Sequence, residues 1–259
     1  MAESSPVDDS PIASEAAPLL TFAGVGKRFP DGTTALDGVD LRVPAGEFVS
    51  VIGPSGCGKS TLLRIASDLT RASDGTVDIR TRKIGYVFQD PTLLPWRSVQ
   101  ANVELFAELR RLPKAERRRR ADAAIKLVGL SDFARHRPRA LSGGMRMRVS
   151  LARSLTLQPE LFLFDEPFGA LDEIARERLN DELLQLYLTQ RFTALFVTHS
   201  VMEAVFMSTR VLVMSGRPGR VLRDFAVPFE YPRSPRLRFE ERFARLAGQV
   251  SARLRGGGG

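Results

Sequence analysis

The chain has 259 residues, 43% hydrophobic and 26% charged, with 38 Lys and Arg against 30 Asp and Glu for a net charge of +8. Its single cysteine, Cys57, excludes an internal disulfide framework and fits a reducing compartment. The longest apolar runs, LFLF at 161–164 and ALFV at 194–197, fall well short of the roughly 18 uncharged residues of a membrane-spanning helix, so a soluble, intracellular globular chain is expected.

In chain order, residues 1–18 (MAESSPVDDSPIASEAAP) are acidic and rich in Ser, Ala and Pro, with neither a basic start nor an apolar stretch. They read as a disordered leader rather than a signal peptide. Strands are predicted at LLTFAGV (19–25) and VDLRV (39–43), flanking a DGTT turn, then at FVSVIG (48–53), TVDIR (76–80) and IGYVF (84–88). LFLFD (161–165), ALFVT (194–198) and RVLVM, ending at Met214, follow, with a further short strand at RVLRDF (220–225). The unbroken apolar strands suit the centre of a parallel sheet covered on both faces; the alternating ones near the N-terminus suit an antiparallel layer.

Helices fall between them. KSTLLRIASDL begins at Lys59 and places Leu62, Leu63, Ile65, Ala66 and Leu69 on a buried stripe. Ala115–Leu130, Met145–Leu157 and Ala175–Gln190 are predicted helices, the last with Leu179, Leu183 and Leu186 at helical spacing. Near the end, Phe239, Phe243, Leu246, Val250 and Leu254 form one apolar stripe, and GGGG at 256–259 reads as a flexible tail. Alternating strands and helices argue for an α/β domain over 19–255, with a helical lobe inserted at about 89–153. The basic surplus concentrates at 110–120 and 232–255 and reads as solvated helix faces. Without the interleaved aromatics of a stacking platform, no specific nucleic acid is expected as a partner.

GPSGCGKS (53–60) fits G-x-x-x-x-G-K-[ST] between a strand and a helix. Gly53, Gly56 and Gly58 let the backbone aim N–H groups at phosphate oxygens, Lys59 should reach the β- and γ-phosphates, and Ser60 should offer its hydroxyl to Mg²⁺. Cys57 occupies a variable position of the loop, so its thiol is incidental to the chemistry. Asp165, at the end of a buried strand, can hold Mg²⁺, while Glu166 points the other way and can orient the attacking water. Gln89 and His199 each lie one residue beyond a predicted strand, where ligands meet α/β sheets; the imidazole can hydrogen-bond a γ-phosphate. A second glycine turn, LSGGM (141–145), has no lysine. Its Ser142, Gly143 and Gly144 open a helix, either as an ordinary N-cap or as an anion site.

Taken in order, these segments strongly resemble the ATP-binding cassette (ABC) family over about residues 19–220. GPSGCGKST corresponds to the Walker A loop, Gln89 to the Q-loop and LSGGM to the signature. LFLFDE corresponds to Walker B, ALD (170–172) to the D-loop and His199 to the switch histidine. The resemblance implies a P-loop NTPase with a RecA-like core, an N-terminal antiparallel β-layer and an inserted helical lobe, using ATP and Mg²⁺. It implies nucleotide contacts from Gly53, Pro54, Ser55, Gly56, Cys57, Gly58, Lys59, Ser60 and Thr61, and adenine stacking on Phe29. Gln89 joins Ser60 and Asp165 at the metal, and Glu166, His199, Gln89 and Lys59 form the catalytic set. It further implies an ATP-bound homodimer, in which Ser142, Gly143, Gly144 and Asp172 of one copy complete the site of the other. Met145 and Met147 depart from the glutamines common at those positions.

DEPFGALD (165–172), QDPTLLPWRSVQANV (89–103) and MSGRPGRV (214–221) resemble bacterial importers of the nitrate/sulfonate/taurine subfamily. That implies a chain peripheral on the cytoplasmic side of the membrane, docked through the LLPWR region (93–97) to a permease served by an extracytoplasmic solute-binding protein. An aliphatic sulfonate or taurine is the favoured cargo and nitrate the next. The alternatives are a thiamine-precursor pyrimidine importer, an exporter subunit, and a non-transport ABC ATPase acting on nucleic acid or ribosomes.

Overall fold

The computed structural model describes residues 18–256, so all but Pro18 of the expected leader at 1–18 and all but Gly256 of the expected tail at 256–259 lie outside the described residues. The elements are β1 (Pro18–Arg28), β2 (Thr34–Pro44), β3 (Phe48–Ile52), α1 (Lys59–Ala66), β4 (Asp74–Ile79) and β5 (Ile84–Val87). Then come α2 (Val99–Leu109), α3 (Lys114–Leu127), α4 (Gly143–Leu155), β6 (Leu161–Asp165), α5 (Glu173–Gln190) and β7 (Thr193–Val197). The described chain closes with α6 (Val201–Met207), β8 (Arg210–Met214), β9 (Val221–Ala226) and α7 (Glu241–Gly256).

Two sheets result. The main one runs β5-β6-β7-β3-β8-β9, parallel except for β9, which pairs antiparallel with β8. The smaller one, β2-β1-β4, is antiparallel throughout. Every residue of β3, β6 and β7 is buried, as their unbroken apolar sequences require of strands covered on both faces. On one side Phe48, Phe164 and Phe196 meet ring to ring, with centroids 5.7–6.4 Å apart. On the other, α1 and the small sheet cover Val49, Val51, Leu163 and Val197.

Residues between β5 and β6 form the helical lobe, whose own core is built from Val99, Val103, Ala124, Ile125 and Val149. Arg153, 3% exposed, fastens α4 to the segment after β5, donating to the carbonyls of Pro91 (2.9 Å) and Thr92 (3.0 Å). Desolvation holds this guanidinium below its ordinary pKa, and the carbonyl bonds compensate the buried charge.

Several sequence expectations need correction. Pro18 opens β1 rather than ending the leader, and Gly256 closes α7 rather than starting the tail. The helix from Lys59 stops at Ala66, Asp68 turns left-handed (φ 59°), and Leu69 is 62% exposed instead of buried. Phe239 sits in a 3₁₀ turn before α7 and is 88% exposed, so it leaves the C-terminal stripe. Two helices had no counterpart in the sequence reading. Helix α2 carries Ser98 as its N-cap and Val99, Val103 and Ala107 at helical spacing, a signal the sequence reading did not use, and α6 is seven residues long with a core-facing run, AVFM, that shows no helical period.

Candidate functional site

The loop between β3 and α1 is compressed against its surroundings, and this is where the glycines are required. A Cβ at Gly53 would lie 2.8 Å from Cys57 Sγ, and one at Gly58 (φ 107°) only 2.7 Å from the Ala35 carbonyl oxygen. Gly58 is also the N-cap of α1 and supplies no side-chain cap. The first-turn N–H groups of α1 therefore have no side-chain acceptor at the cap and can meet an anion. Lys59, 5% exposed, folds back to donate to the carbonyls of Gly53 (2.9 Å) and Pro54 (3.0 Å). Ser55 is exposed, Thr61 half-buried in the first turn of α1, and Cys57 fully buried, with burial pushing its thiol pKa up. That keeps the thiol protonated and out of the chemistry.

The neighbouring strands bring the acidic residues to this loop. Asp165 ends β6, directly in register with Val197 of β7. One of its oxygens accepts from the Ser60 hydroxyl at 2.8 Å and the other from the Tyr86 hydroxyl at 3.1 Å. Burial, and then the Asp165 charge, push the Tyr86 phenol well above its ordinary pKa, so it stays a donor. Glu166 adopts a left-handed backbone (φ 47°), fixed by its N–H donating to the Val197 carbonyl at 2.9 Å. One oxygen of its carboxylate lies 4.0 Å from Lys59 Nζ, and the other 3.4 Å from Nδ1 of the half-exposed His199. Adjacent carboxylates thus serve different neighbours, as their positions at a strand end predict. Behind them Glu203, 6% exposed, meets the Thr198 hydroxyl, and desolvation raises its carboxyl pKa.

Lys59, Ser60, Asp165, Glu166 and His199 are therefore one hydrogen-bonded and ion-paired cluster at the ends of β3, β6 and β7. Gln89 stands outside it. It is exposed, two residues beyond β5, on a cleft of about 570 Å³ shared with Gly143, Pro167 and Leu171. Phe29 lies in a tight turn closed by its N–H to the Thr33 carbonyl (2.9 Å), with Lys27 Nζ 5.3 Å from its ring centroid. The Thr33 N–H also holds Asp31, in the same turn, below the usual carboxylate range.

In the second glycine turn Ser142 caps α4, its hydroxyl accepting from Met145 N at 3.2 Å. Gly143 and Gly144 are the first helical residues and face Leu171 and Leu179 closely. Asp172 caps α5 in the same way, accepting from Ala175 N at 2.9 Å. Three contributors escaped the sequence reading. The Tyr86 hydroxyl was hidden in an apolar strand, where a lone polar group was the available signal. Arg217 donates from Nε (3.2 Å) and Nη2 (3.0 Å) to the Gly56 carbonyl. Gly219 approaches so closely that a Cβ would lie 2.1 Å from the Cys57 oxygen. Arg217 and Gly219 lie about 160 residues from the loop in sequence, beyond the reach of local pattern.

A strand, a glycine loop and a lysine opening the next helix beside a strand-end carboxylate define a P-loop nucleoside triphosphatase. Residues 36–169 match the ABC transporter family model, and the chain belongs to that family. It is 44% identical to the aliphatic sulfonates import ATP-binding protein SsuB 1 of Mesorhizobium japonicum, over 97% of this chain and 94% of that protein. An ATP-binding protein of Brucella abortus is 41% identical, over 90% of this chain and 92% of that one. Among solved structures it resembles the dimeric structure of MJ0796, a bacterial ABC transporter cassette, with 34% identity and a TM-score of 0.72 over 82% of this chain and all of that one. The same cassette has also been solved in a post-hydrolysis state bound to ADP and Pi. The protein is thus an ATP-binding ABC ATPase whose hydrolysis is coupled to transport.

Proposed function

We propose that this chain is the ATP-hydrolysing subunit of a bacterial importer, working as a head-to-tail homodimer beneath a separate permease. The observation carrying the hydrolytic half is the cluster that joins Lys59 and Ser60 of the loop to Asp165, Glu166 and His199. When ATP enters, Lys59 exchanges the Gly53 and Pro54 carbonyls for the β- and γ-phosphates, with the loop N–H groups of residue 53 and residues 55–61 around them. Phe29 offers a ring face to the adenine. Glu166 aligns the attacking water, and His199, loosely held 3.4 Å away, turns to the γ-phosphate.

Mg²⁺ fits the donor set. A hydroxyl and a buried carboxylate are the hard oxygen ligands this ion takes, and both Asp165 oxygens face only neutral hydroxyls in the contacts described. Ser60 and Asp165 would hold it, and the ion would neutralise phosphate charge; Gln89, which stands outside their cluster here, would join them only on a shift of its loop. Ser142, Gly143, Gly144 and Asp172 would act on the nucleotide of a second copy, the arrangement supported by likeness to a dimeric cassette.

Permease contact is assigned to the lobe. Trp96 is 68% exposed and Leu109 70%, apolar groups left uncovered on the segment that includes LLPWR. No helix among the described residues is long and apolar enough to cross a membrane, which suits a peripheral subunit on the cytoplasmic face. The cargo we favour is an aliphatic sulfonate, on the likeness to SsuB 1, ahead of taurine and nitrate. An extracytoplasmic solute-binding protein would deliver it. Deleting the gene and measuring uptake of a radiolabelled alkanesulfonate tests this. Loss of uptake, restored by the wild-type gene, is expected; unchanged uptake in the deletion strain overturns the cargo reading.

A further inference from the structure

A cavity of about 320 Å³ lies where the helical lobe meets the core, away from the phosphate loop. The lobe supplies the end of α3 and one face of α4; the core supplies β5, β6 and α5. Its floor is apolar and rigid: Val87 and Phe164 are each 1% exposed, Phe168 4% and Leu183 1%, and Leu151 and Leu186 stand beside them.

The mouth is charged, and the charges do not balance. Lys126, Arg148 and Arg178 line it against one carboxylate, Glu182. Both arginines use the same oxygen of that carboxylate, Arg148 Nη2 at 2.7 Å and Arg178 Nε at 3.2 Å. Two guanidiniums thus share a single carboxylate oxygen, so an anionic head at the rim would meet positive charge that Glu182 leaves over. Gly129, left-handed at φ 67°, borders the Arg148 guanidinium.

We infer that this cavity binds a free, single-chain amphipathic anion, an alkyl chain on the apolar floor with a carboxylate or sulfonate at the arginine rim. Its volume is at the small end of ligand pockets, which selects one chain of about eight carbons over a two-chain lipid. An occupant would touch lobe and core at once and would stabilise their present packing. Phe168 is two residues from Glu166, and Met147 lies on the helix opened by Ser142, so both ends of the seam border the nucleotide machinery. The inference does not depend on which cargo the transporter carries.

Titration calorimetry of the purified full chain with octanesulfonate, below its micelle concentration, tests it. One saturable site per chain is expected. Affinity should fall about fourfold for each methylene removed from the alkyl chain, the scale of burying one CH₂. Arg178→Glu, at a side chain exposed enough to leave folding unaffected, should weaken binding at least tenfold. Leu151→Trp, which fills the cavity, should abolish it in protein whose thermal melt shows it folded. Absence of saturable binding overturns the inference. So does equal affinity for octyltrimethylammonium, or binding that neither substitution changes.

Discussion

The two glycine-rich turns of this chain look alike in sequence and are built to different ends. The loop at 53–60 leads into α1 through Gly58, which has no side chain to occupy the first-turn N–H groups, and it carries its own cation in Lys59. The turn at 141–145 leads into α4 through Ser142, whose hydroxyl already serves Met145 N, and no cation stands among its five residues. On the proposed function, one turn is a phosphate site within a single chain. The other is a capped helix start with an exposed serine, which on the same reading needs a site supplied from elsewhere before it has a ligand. A glycine turn at a helix start is therefore not sufficient for binding; what caps the helix, and which charge stands beside it, decides.

The largest effect should come from breaking the second turn alone. Ser142→Arg is expected to abolish the ATP-dependent dimer in size-exclusion chromatography while leaving ATP binding to the monomer intact. A normal ATP-bound dimer would refute a composite site. Lys59→Ala strikes the first turn and should weaken ATP binding about a thousandfold, the scale of removing one partner of a desolvated charge pair. Unchanged affinity by equilibrium dialysis would remove the lysine from phosphate binding. Glu166→Gln should retain ATP but hydrolyse it at least about a hundredfold more slowly, as expected for loss of one contact made in the transition state. Phosphate release at close to the wild-type rate would take Glu166 out of the chemistry. The smallest effect is at the edge of the site: Phe29→Ala should weaken ATP binding by up to about tenfold, the value of one aromatic stack. Binding of inorganic triphosphate, which has no base, should be unaffected by it.

The first turn was legible because its chemistry is local. Eight consecutive residues specify strand exit, backbone wrap, cation and hydroxyl, and the structure finds Ser60 bonded to the carboxylate that ends LFLFD and Lys59 beside that of Glu166 just after it. Asp165 was legible as the carboxylate that ends a buried apolar strand, and Glu166 as the residue just after it, turned aside by its left-handed backbone. Their partners were less so. Tyr86 reaches Asp165 only because β5 and β6 pair in a register that no single segment encodes. Helix α2 was missed although Ser98 caps it and Val99, Val103 and Ala107 keep helical spacing, and Leu69 was misplaced because the chain leaves α1 after Ala66 through a left-handed Asp68 that helical periodicity does not announce.

By itself the sequence determined the strands in their order and every helix but α2 and α6, the glycine loop and the carboxylate that ends β6, and membership of a nucleotide-hydrolysing class, since each is written within a dozen neighbouring residues. Tertiary structure alone decided what closes around them. Arg217 and Gly219, on the turn between β8 and β9, press on the loop at Gly56 and Cys57; Arg153 ties the lobe to residues 91–92; and the cavity at 147–186 exists only where lobe and core meet. These contacts join residues far apart in the chain, and their energies come from close packing and from buried hydrogen bonds, which depend on distance in space and leave no period in the sequence.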